Sequence, residues 1–233
     1  MKINIMILGE DRLKNKLVHG VGINDANYVV HKSEELPRTN GKRNKKLIWK
    51  CPFYSRWVSM LERCFSNKLK ARYQTYKDVT CCEEWLTFSN FKSWMETQDW
   101  EGKALDKDLL VYKNRVYNPE TCVFIDPSIN SFLLKSDKNR GDYPIGVNYH
   151  IKPKMINPLK HPYKATISDR GKCVFLGYYL TPEEAHKAWQ KEKINQAKIL
   201  QSEQTDQKVI KGLQRVIDKI QYDLDNNLIT KDF

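Results

Sequence analysis

The segment 105–130 constrains the fold of this 233-residue chain more than any other part of the sequence. It opens with a charged triplet, 106–108, between leucines, which is typical of a short strand that runs into a polar turn. An apolar run at 123–125 predicts a second strand. Asp126-Pro127 predicts the start of a helix, since the missing N–H of proline costs nothing in the first turn. The order strand, turn, strand, helix predicts a ββα element.

Two amphipathic helices are predicted before this element. Apolar and aromatic residues recur there at spacings of three and four, which gathers each set on one helical face. The two sets are Trp57, Met60, Leu61, Cys64 and Phe65, and Trp85, Phe88, Phe91, Trp94 and Met95. Aromatic side chains can stack on bases, but at helical spacing we expect them to form a core beneath the ββα element.

The order of these residues resembles that of the HNH-related proteins common in bacteriophages. The resemblance covers about 51–134 and is carried by Leu105-Asp106-Lys107, by Tyr117-Asn118-Pro119-Glu120-Thr121-Cys122 and by Asn130. It implies a degenerate HNH-like ββα module on a helical platform. It also implies one divalent ion, Mg²⁺, which stabilises the leaving oxygen when such a site cuts DNA.

The resemblance assigns roles to single residues, with Asp106, Lys107 and Asn130 as the candidate catalytic set. Asp106 and Asn130 take metal-ligand positions, and Asp108 and Thr121 are further candidate ligands. Lys107 stands where the family has its general-base His. A lysine with an ordinary pKa of about 10.4 is a poor base at neutral pH, so Lys107 is expected to contact the scissile phosphate instead.

A second module is predicted at 143–200, after a polar, charged linker at 135–142. Period-two alternation predicts three strands, at 146–150, 163–168 and 173–179. A helix follows. Thr181 is its expected N-cap, with Pro182 at the first helical position and Glu184 at the third. Ala185, Ala188 and Trp189 should then face the sheet.

Three strands and one packed helix, with these residues, resemble the AP2/ERF DNA-binding domain. The matching residues are Gly146-Val147, Tyr163-Lys164-Ala165-Thr166-Ile167, and Leu176-Gly177 through Glu183-Glu184-Ala185. The guanine-reading arginines of plant members are absent at Asn148, His150 and Ser168, so no base preference is implied. The resemblance implies a sheet that binds double-stranded DNA.

Strand alternation selects the DNA-binding side chains. Ala165 and Ile167 should face the helix, so their neighbours should face outward toward a DNA groove. The predicted outer face comprises Asn148, His150, Lys164, Thr166, Ser168 and Phe175, and the predicted phosphate-contacting rim comprises Lys152, Lys154, Arg170 and Lys172. The alternative is a small sheet that binds protein or no partner.

The formal charge of +12 also favours a polyanionic partner. Residues 1–50 are predicted to contain short strands and a basic loop at 38–46, either a phosphate-contacting arm or a solvated loop. No apolar run is long enough to span a membrane. The six cysteines form no Cys-x-x-Cys pair, which argues against a zinc ribbon and favours reduced thiols. We therefore expect a cytoplasmic protein, which the phage resemblance would place in the bacterial host cell.

The final segment, 201–233, is predicted to contain a long amphipathic helix. Its apolar stripe consists of Val209, Ile210, Leu213, Val216, Ile217, Ile220 and Leu224. The stripe either packs on its own chain, as part of a helical hairpin with 194–200, or forms a homodimer seam.

Taken together, the sequence predicts an α+β protein that resembles a phage HNH homing-type endonuclease and binds duplex DNA through the AP2-like sheet. The first hypothesis includes Mg²⁺-dependent strand nicking. The second is a catalytically inactive DNA-binding or regulatory protein, which the replaced His favours. The third is an adaptor or inhibitor that binds a host protein.

Overall fold

The computed structural model describes residues 17–134, 142–150 and 160–233. In chain order the elements are β1 (His31–Thr39), β2 (Lys42–Lys50), α1 (Pro52–Phe65), α2 (Asn67–Arg72), β3 (Thr80–Cys81), α3 (Phe88–Glu96), β4 (Ala104–Asp106), β5 (Val116–Tyr117), β6 (Val123–Ile125), α4 (Pro127–Phe132), β7 (Val147–Tyr149), β8 (Tyr163–Asp169), β9 (Lys172–Tyr179), α5 (Pro182–Ser202) and α6 (Gln207–Asp225). Helices and small sheets are mixed along the chain, so the predicted α+β class is confirmed. Among the described helices, none is long and apolar enough to cross a membrane.

The chain forms two compact units. The first consists of 1–100 with 114–122, and the second of 101–113 with 123–233. The two units are defined by contacts in the folded chain. The domain boundaries expected from the sequence were based on composition and periodicity, and they stay a prediction. The first sixteen residues and nearly all of the predicted linker lie outside the described residues.

The first unit contains a β-hairpin where a basic loop was expected, so the loop prediction for 38–46 is wrong. β1 and β2 pair antiparallel around Asn40-Gly41, whose φ angles are 50° and 72°. Two positive φ angles give a turn whose twist matches that of the paired strands. Glu34 lies opposite Lys46, and the Glu35 carboxylate is 3.5 Å from the Lys45 amine. The basic run is thus partly neutralised across the hairpin.

Most of the predicted aromatic and apolar core of the first unit is buried, whereas Phe65 and Trp94 are only half-buried; its position beneath the ββα element stays a prediction. Its fully buried side chains include Trp57, Met60, Leu61 and Cys64 on α1 and Phe88, Phe91 and Met95 on α3. Trp85 lies in a separate 3-10 turn just before α3, and its carbonyl accepts a 2.7 Å hydrogen bond from the Trp57 indole. The bond ties the two helical segments together, because a buried indole N–H must find an acceptor.

The second unit begins with the predicted ββα order. β4 and β6 pair antiparallel, and α4 starts directly after them with Pro127 in its first turn. All three residues of β6 are buried, which is typical of a strand covered on both faces. Val123 and Ile125 belong to a core that includes residues from α4, α5 and α6.

The three-stranded sheet has the order β7-β8-β9 and packs on α5. Ala165 and Ile167 are buried, as predicted, and the capping box at Thr181 and Glu184 is present. Gly146 lies against Trp189 with φ at 82°, and a Cβ there would be 2.1 Å from Trp189 Cδ1. Only glycine combines this backbone conformation with so close an approach.

α5 and α6 form the predicted helical hairpin. The α6 stripe is buried in the core of its own unit through Val209, Leu213, Val216, Ile217 and Ile220. This packing supports the intrachain interpretation of the stripe. Ile210 and Leu224 are only half-buried, and the homodimer seam stays a prediction.

Candidate functional site

The end of β4 and the turn that follows it contain three of the predicted site residues, and we call residues 106–109 the Asp106 loop. Asp106, the last residue of β4, closes the turn. Asp106 Oδ1 accepts hydrogen bonds from the N–H groups of Asp108, at 2.9 Å, and Leu109, at 2.7 Å. Burial raises the pKa of the Asp106 carboxyl, and the bond from the Leu109 N–H acts in the opposite direction. An Asp that bonds the backbone two and three residues ahead fixes a turn. Asp106 therefore shapes the loop.

Lys107 and Asp108 are bound to each other. The buried Lys107 amine lies 2.7 Å from both carboxylate oxygens of Asp108, whose own side chain is half-exposed. Such a charge-assisted bond to both oxygens is a strong contact for a nearly buried ammonium. The pair keeps the Lys107 charge compensated where water is scarce.

Arg215 on α6 binds the Asp106 loop. This contact was not predicted from the sequence. The Arg215 Nε donates to the Leu109 carbonyl at 3.0 Å, and its guanidinium lies 5.7 Å from the Tyr112 ring centroid. Burial lowers the Arg215 pKa, while Tyr112 and the two loop aspartates act against that shift. Leu109 itself is buried in the core, where a Cβ on Gly212 would meet it at 2.5 Å. No local pattern signals a contact across more than a hundred residues.

The two remaining candidate ligands, Thr121 and Asn130, are not part of the Asp106 loop. The Thr121 hydroxyl donates to Asn118 Oδ1 at 2.7 Å and accepts from the Asn114 amide at 2.8 Å, within a turn of the first unit. Asn130 is exposed on α4, and its side chain forms no hydrogen bond with any described residue. The loop thus brings together Asp106, Lys107 and Asp108 only.

Several oxygens of these residues are engaged in the turn and in the ion pair, and a Mg²⁺ site in this loop stays a prediction. Magnesium requires oxygen donors in near-octahedral geometry, but Asp106 Oδ1 already accepts two N–H groups, and both Asp108 oxygens face an ammonium that would repel the ion. Within the ranges the structure describes, no three His, Cys, Asp or Glu side chains converge to hold a metal. The loop is built as a structural turn.

The outer face of the β7-β8-β9 sheet gathers the other predicted residues. The register pairs Asn148 with Lys164, which in turn faces Tyr178 on β9. Thr166 pairs with Phe175, and Ser168 with Cys173. Cross-strand partners share a face. We define the outer face as Asn148, His150, Lys164, Thr166, Ser168, Phe175 and Tyr178.

An aromatic row runs across this face. The ring centroids of His150 and Tyr178 are 5.3 Å apart, those of Phe175 and Tyr178 are 5.0 Å apart, and the Lys164 amine lies 5.6 Å from the Phe175 centroid. Phe175 and Tyr178 remain 52% and 46% exposed. Exposed aromatic side chains grouped beside a cation make this face a candidate contact surface.

Tyr178 was not among the predicted outer-face residues because β9 is irregular. Strict alternation from Phe175 would point Gly177 outward and Tyr178 inward. The register shift opposite Ala165 and Thr166 adds one residue to β9 and turns Tyr178 to the outer face. Leu176-Gly177, with Gly177 at φ 138°, was the available signal, since glycine within a strand often marks a bulge.

The predicted rim is only partly described. Lys172 is exposed, and the Arg170 guanidinium is paired with the Glu203 carboxylate. Lys152 and Lys154 lie outside the described residues. An open depression of about 520 Å³ borders Tyr178 and is lined in part by His161, Lys187 and Lys191. Glu184 also lines the depression, and the Lys187 amine donates to Asn227 Oδ1 at 2.6 Å.

Comparison of the chain with protein-family models, curated proteins and solved structures finds no match.

Proposed function

We propose that this protein binds duplex DNA through the outer face and that the Asp106 loop acts as a scaffold without cutting. The observation that carries the proposal is the exposed aromatic row His150–Tyr178–Phe175 beside Lys164, with hydrogen-bonding Asn148, Thr166 and Ser168 around it. Amide, hydroxyl and apolar groups suit base edges, and lysines suit phosphates. The resemblance to AP2/ERF domains supports the same assignment and stays a prediction.

The net charge of +12 supports a nucleic acid over an uncharged partner. Each phosphate neutralised by a Lys or Arg releases counterions, so affinity should fall steeply with salt. The third hypothesis, binding of a host protein, predicts retention by an acidic protein without affinity for DNA.

Fluorescence anisotropy with labelled duplex DNA tests the proposal. We expect log K against log salt to have a slope of about −5 to −7, as for six to eight neutralised phosphates. The double variant Lys164→Ala with Phe175→Ala should lose at least roughly tenfold in affinity, because it removes a phosphate contact and a base contact. Lys198→Ala, at an exposed position on α5, is the matched control. A flat salt slope would rule the proposal out.

Cleavage is tested separately with supercoiled DNA and Mg²⁺ or Mn²⁺, beside an Asp106→Ala variant. Because Asp106 Oδ1 and both Asp108 oxygens already accept hydrogen bonds, we expect DNA binding without nicking. Nicking that disappears in Asp106→Ala would instead establish the HNH-like endonuclease hypothesis and require the Lys107–Asp108 pair to separate when metal binds.

A further inference from the structure

A cavity of about 240 Å³ lies in the second unit, where α4, the β8–β9 turn and the second half of α5 meet. Phe132 and Leu200 form part of an apolar wall, and Asp169 and Glu192 add carboxylates. The cavity is smaller than the roughly 300–1,000 Å³ of pockets for drug-sized ligands. Its volume suits a single small ring system, monocyclic or fused.

Gln196 lines this cavity with a polar group that has no partner. The residue is 7% exposed, and its buried side-chain nitrogen makes no hydrogen bond with any residue that the structure describes. Leaving a buried amide donor unpaired is costly, so native proteins rarely do it without a functional reason. A ligand acceptor in the cavity would satisfy this donor.

The lining indicates the chemistry of the ligand. Arg170 also lines the cavity, but its guanidinium is paired with the Glu203 carboxylate. Asp169 and Glu192 would therefore disfavour a phosphate or another free anion and would accept hydrogen bonds from amino groups. The Gln196 amide supplies the complementary donor, and the apolar wall suits a flat ring. A neutral heteroaromatic ring with both amino donors and ring acceptors matches this set. Nucleobases have that composition.

The cavity adjoins the outer face through one residue. Ser168 belongs to the outer face and also lines the cavity, and Arg170 on the same turn lines it as well. We propose that the cavity accepts one unstacked nucleobase from a DNA strand held on the outer face. This assignment rests on the proposed function. Bases taken out of a stack are typically bound by edge hydrogen bonds and apolar side chains.

Ligand-observed NMR of the full chain with free deoxyadenosine, deoxyguanosine, deoxycytidine and thymidine tests the cavity directly. We expect at least one nucleoside to bind and inorganic phosphate not to bind. Gln196→Leu, which removes the donor, should lower nucleoside affinity at least tenfold. Asn195→Leu removes an exposed amide from the neighbouring position of α5 and should leave it unchanged. Gln196→Glu, which keeps the size but not the donors, is the second variant if Leu perturbs folding.

A DNA arm separates the two proposals. Duplex with one extra unpaired base should bind at least tenfold more tightly than fully paired duplex, and Gln196→Leu should abolish that preference. Duplex binding without nucleoside binding, or with nucleoside binding indifferent to Gln196, overturns the cavity assignment and leaves the proposed function standing. Gln196-dependent nucleoside binding without any duplex binding has the opposite meaning: the cavity takes a base, and the outer face is not a DNA surface.

Discussion

The Asp106 loop and the outer face both carry polar residues that the sequence marked as functional, yet the two regions use them in opposite ways. In the loop, Asp106 accepts backbone N–H groups and Lys107 binds Asp108. On the outer face, Phe175 and Tyr178 remain half-exposed. The loop groups are directed at their own chain, and the sheet groups are directed at solvent.

The difference shows that residue type alone does not identify a site. A carboxylate beside a strand end can hold a metal or close a turn, and the two uses need the same side chain. Which use applies depends on whether its oxygens already have partners. The contrast between groups directed at the chain and groups directed at solvent leads to testable expectations. The first concerns Gly146, where the sheet that carries the outer face packs on α5.

The largest effect is expected for Gly146→Ala. The new Cβ would clash with Trp189 Cδ1 at 2.1 Å while φ stays at 82°, so urea unfolding should show a loss of roughly 3 kcal/mol. Gly171→Ala is the matched control, because its φ of 81° is similar and no atom lies within 4 Å; it should lose only about 1 kcal/mol. Equal losses would show that the Trp189 contact contributes nothing.

The buried Lys193 ammonium lowers the free energy of unfolding by an amount that depends on pH. Its amine donates to the Phe132 carbonyl and lies 3.7 Å from the Phe132 ring centroid and 5.2 Å from that of Phe233. Burial lowers its pKa from 10.5 to about 7. Between these values the unfolded chain binds more protons than the folded one, so this group's destabilising effect is complete below pH 7 and disappears as pH rises toward 10.5.

Lys193→Met should therefore stabilise the protein by about 2–3 kcal/mol at pH 6, the aromatic contacts offsetting part of the burial cost. The gap from wild type should close by about pH 10. Chemical denaturation across this range measures it, with Lys198→Met, exposed on the same helix, as control. A gap that does not change with pH would contradict a titrating Lys193.

Asp106→Ala should lower the free energy of unfolding by about 1–2 kcal/mol, since it leaves two loop N–H groups without their acceptor. DNA affinity should not change. Asn130→Ala, on the exposed side of α4, should stay within roughly 0.5 kcal/mol of wild type. Loss of DNA affinity in Asp106→Ala at unchanged stability would reverse the roles given to the two regions.

The smallest effect is expected for Tyr178→Leu. Removing one exposed aromatic contact should weaken duplex binding about fivefold, roughly 1 kcal/mol, with no loss of stability. Tyr222→Leu removes a similarly exposed ring from α6 and should bind DNA like wild type in the same anisotropy assay. Identical affinities for both variants would remove Tyr178 from the contact surface.

The sequence by itself determined the elements that depend on local chemistry. Helical spacing located the core faces of α1, α3 and α6, alternation located Ala165 and Ile167, and Thr181 with Glu184 located the start of α5. These signals work because the period of a helix or strand and the geometry of a cap are properties of adjacent residues. Asn40-Gly41 was an equally local signal, and it marked the hairpin that the basic run obscured.

Only the tertiary structure decided which polar groups have partners. Arg215 reaches the Leu109 carbonyl from α6, and a bulge turns Tyr178 outward. The buried Gln196 side-chain nitrogen has no hydrogen-bond partner within the described part of the chain. Each outcome depends on atoms brought together from distant parts of the chain or on a one-residue shift in register. Periodicity encodes which face of an element is buried, but a side chain's hydrogen-bond partner depends on what the fold places opposite it.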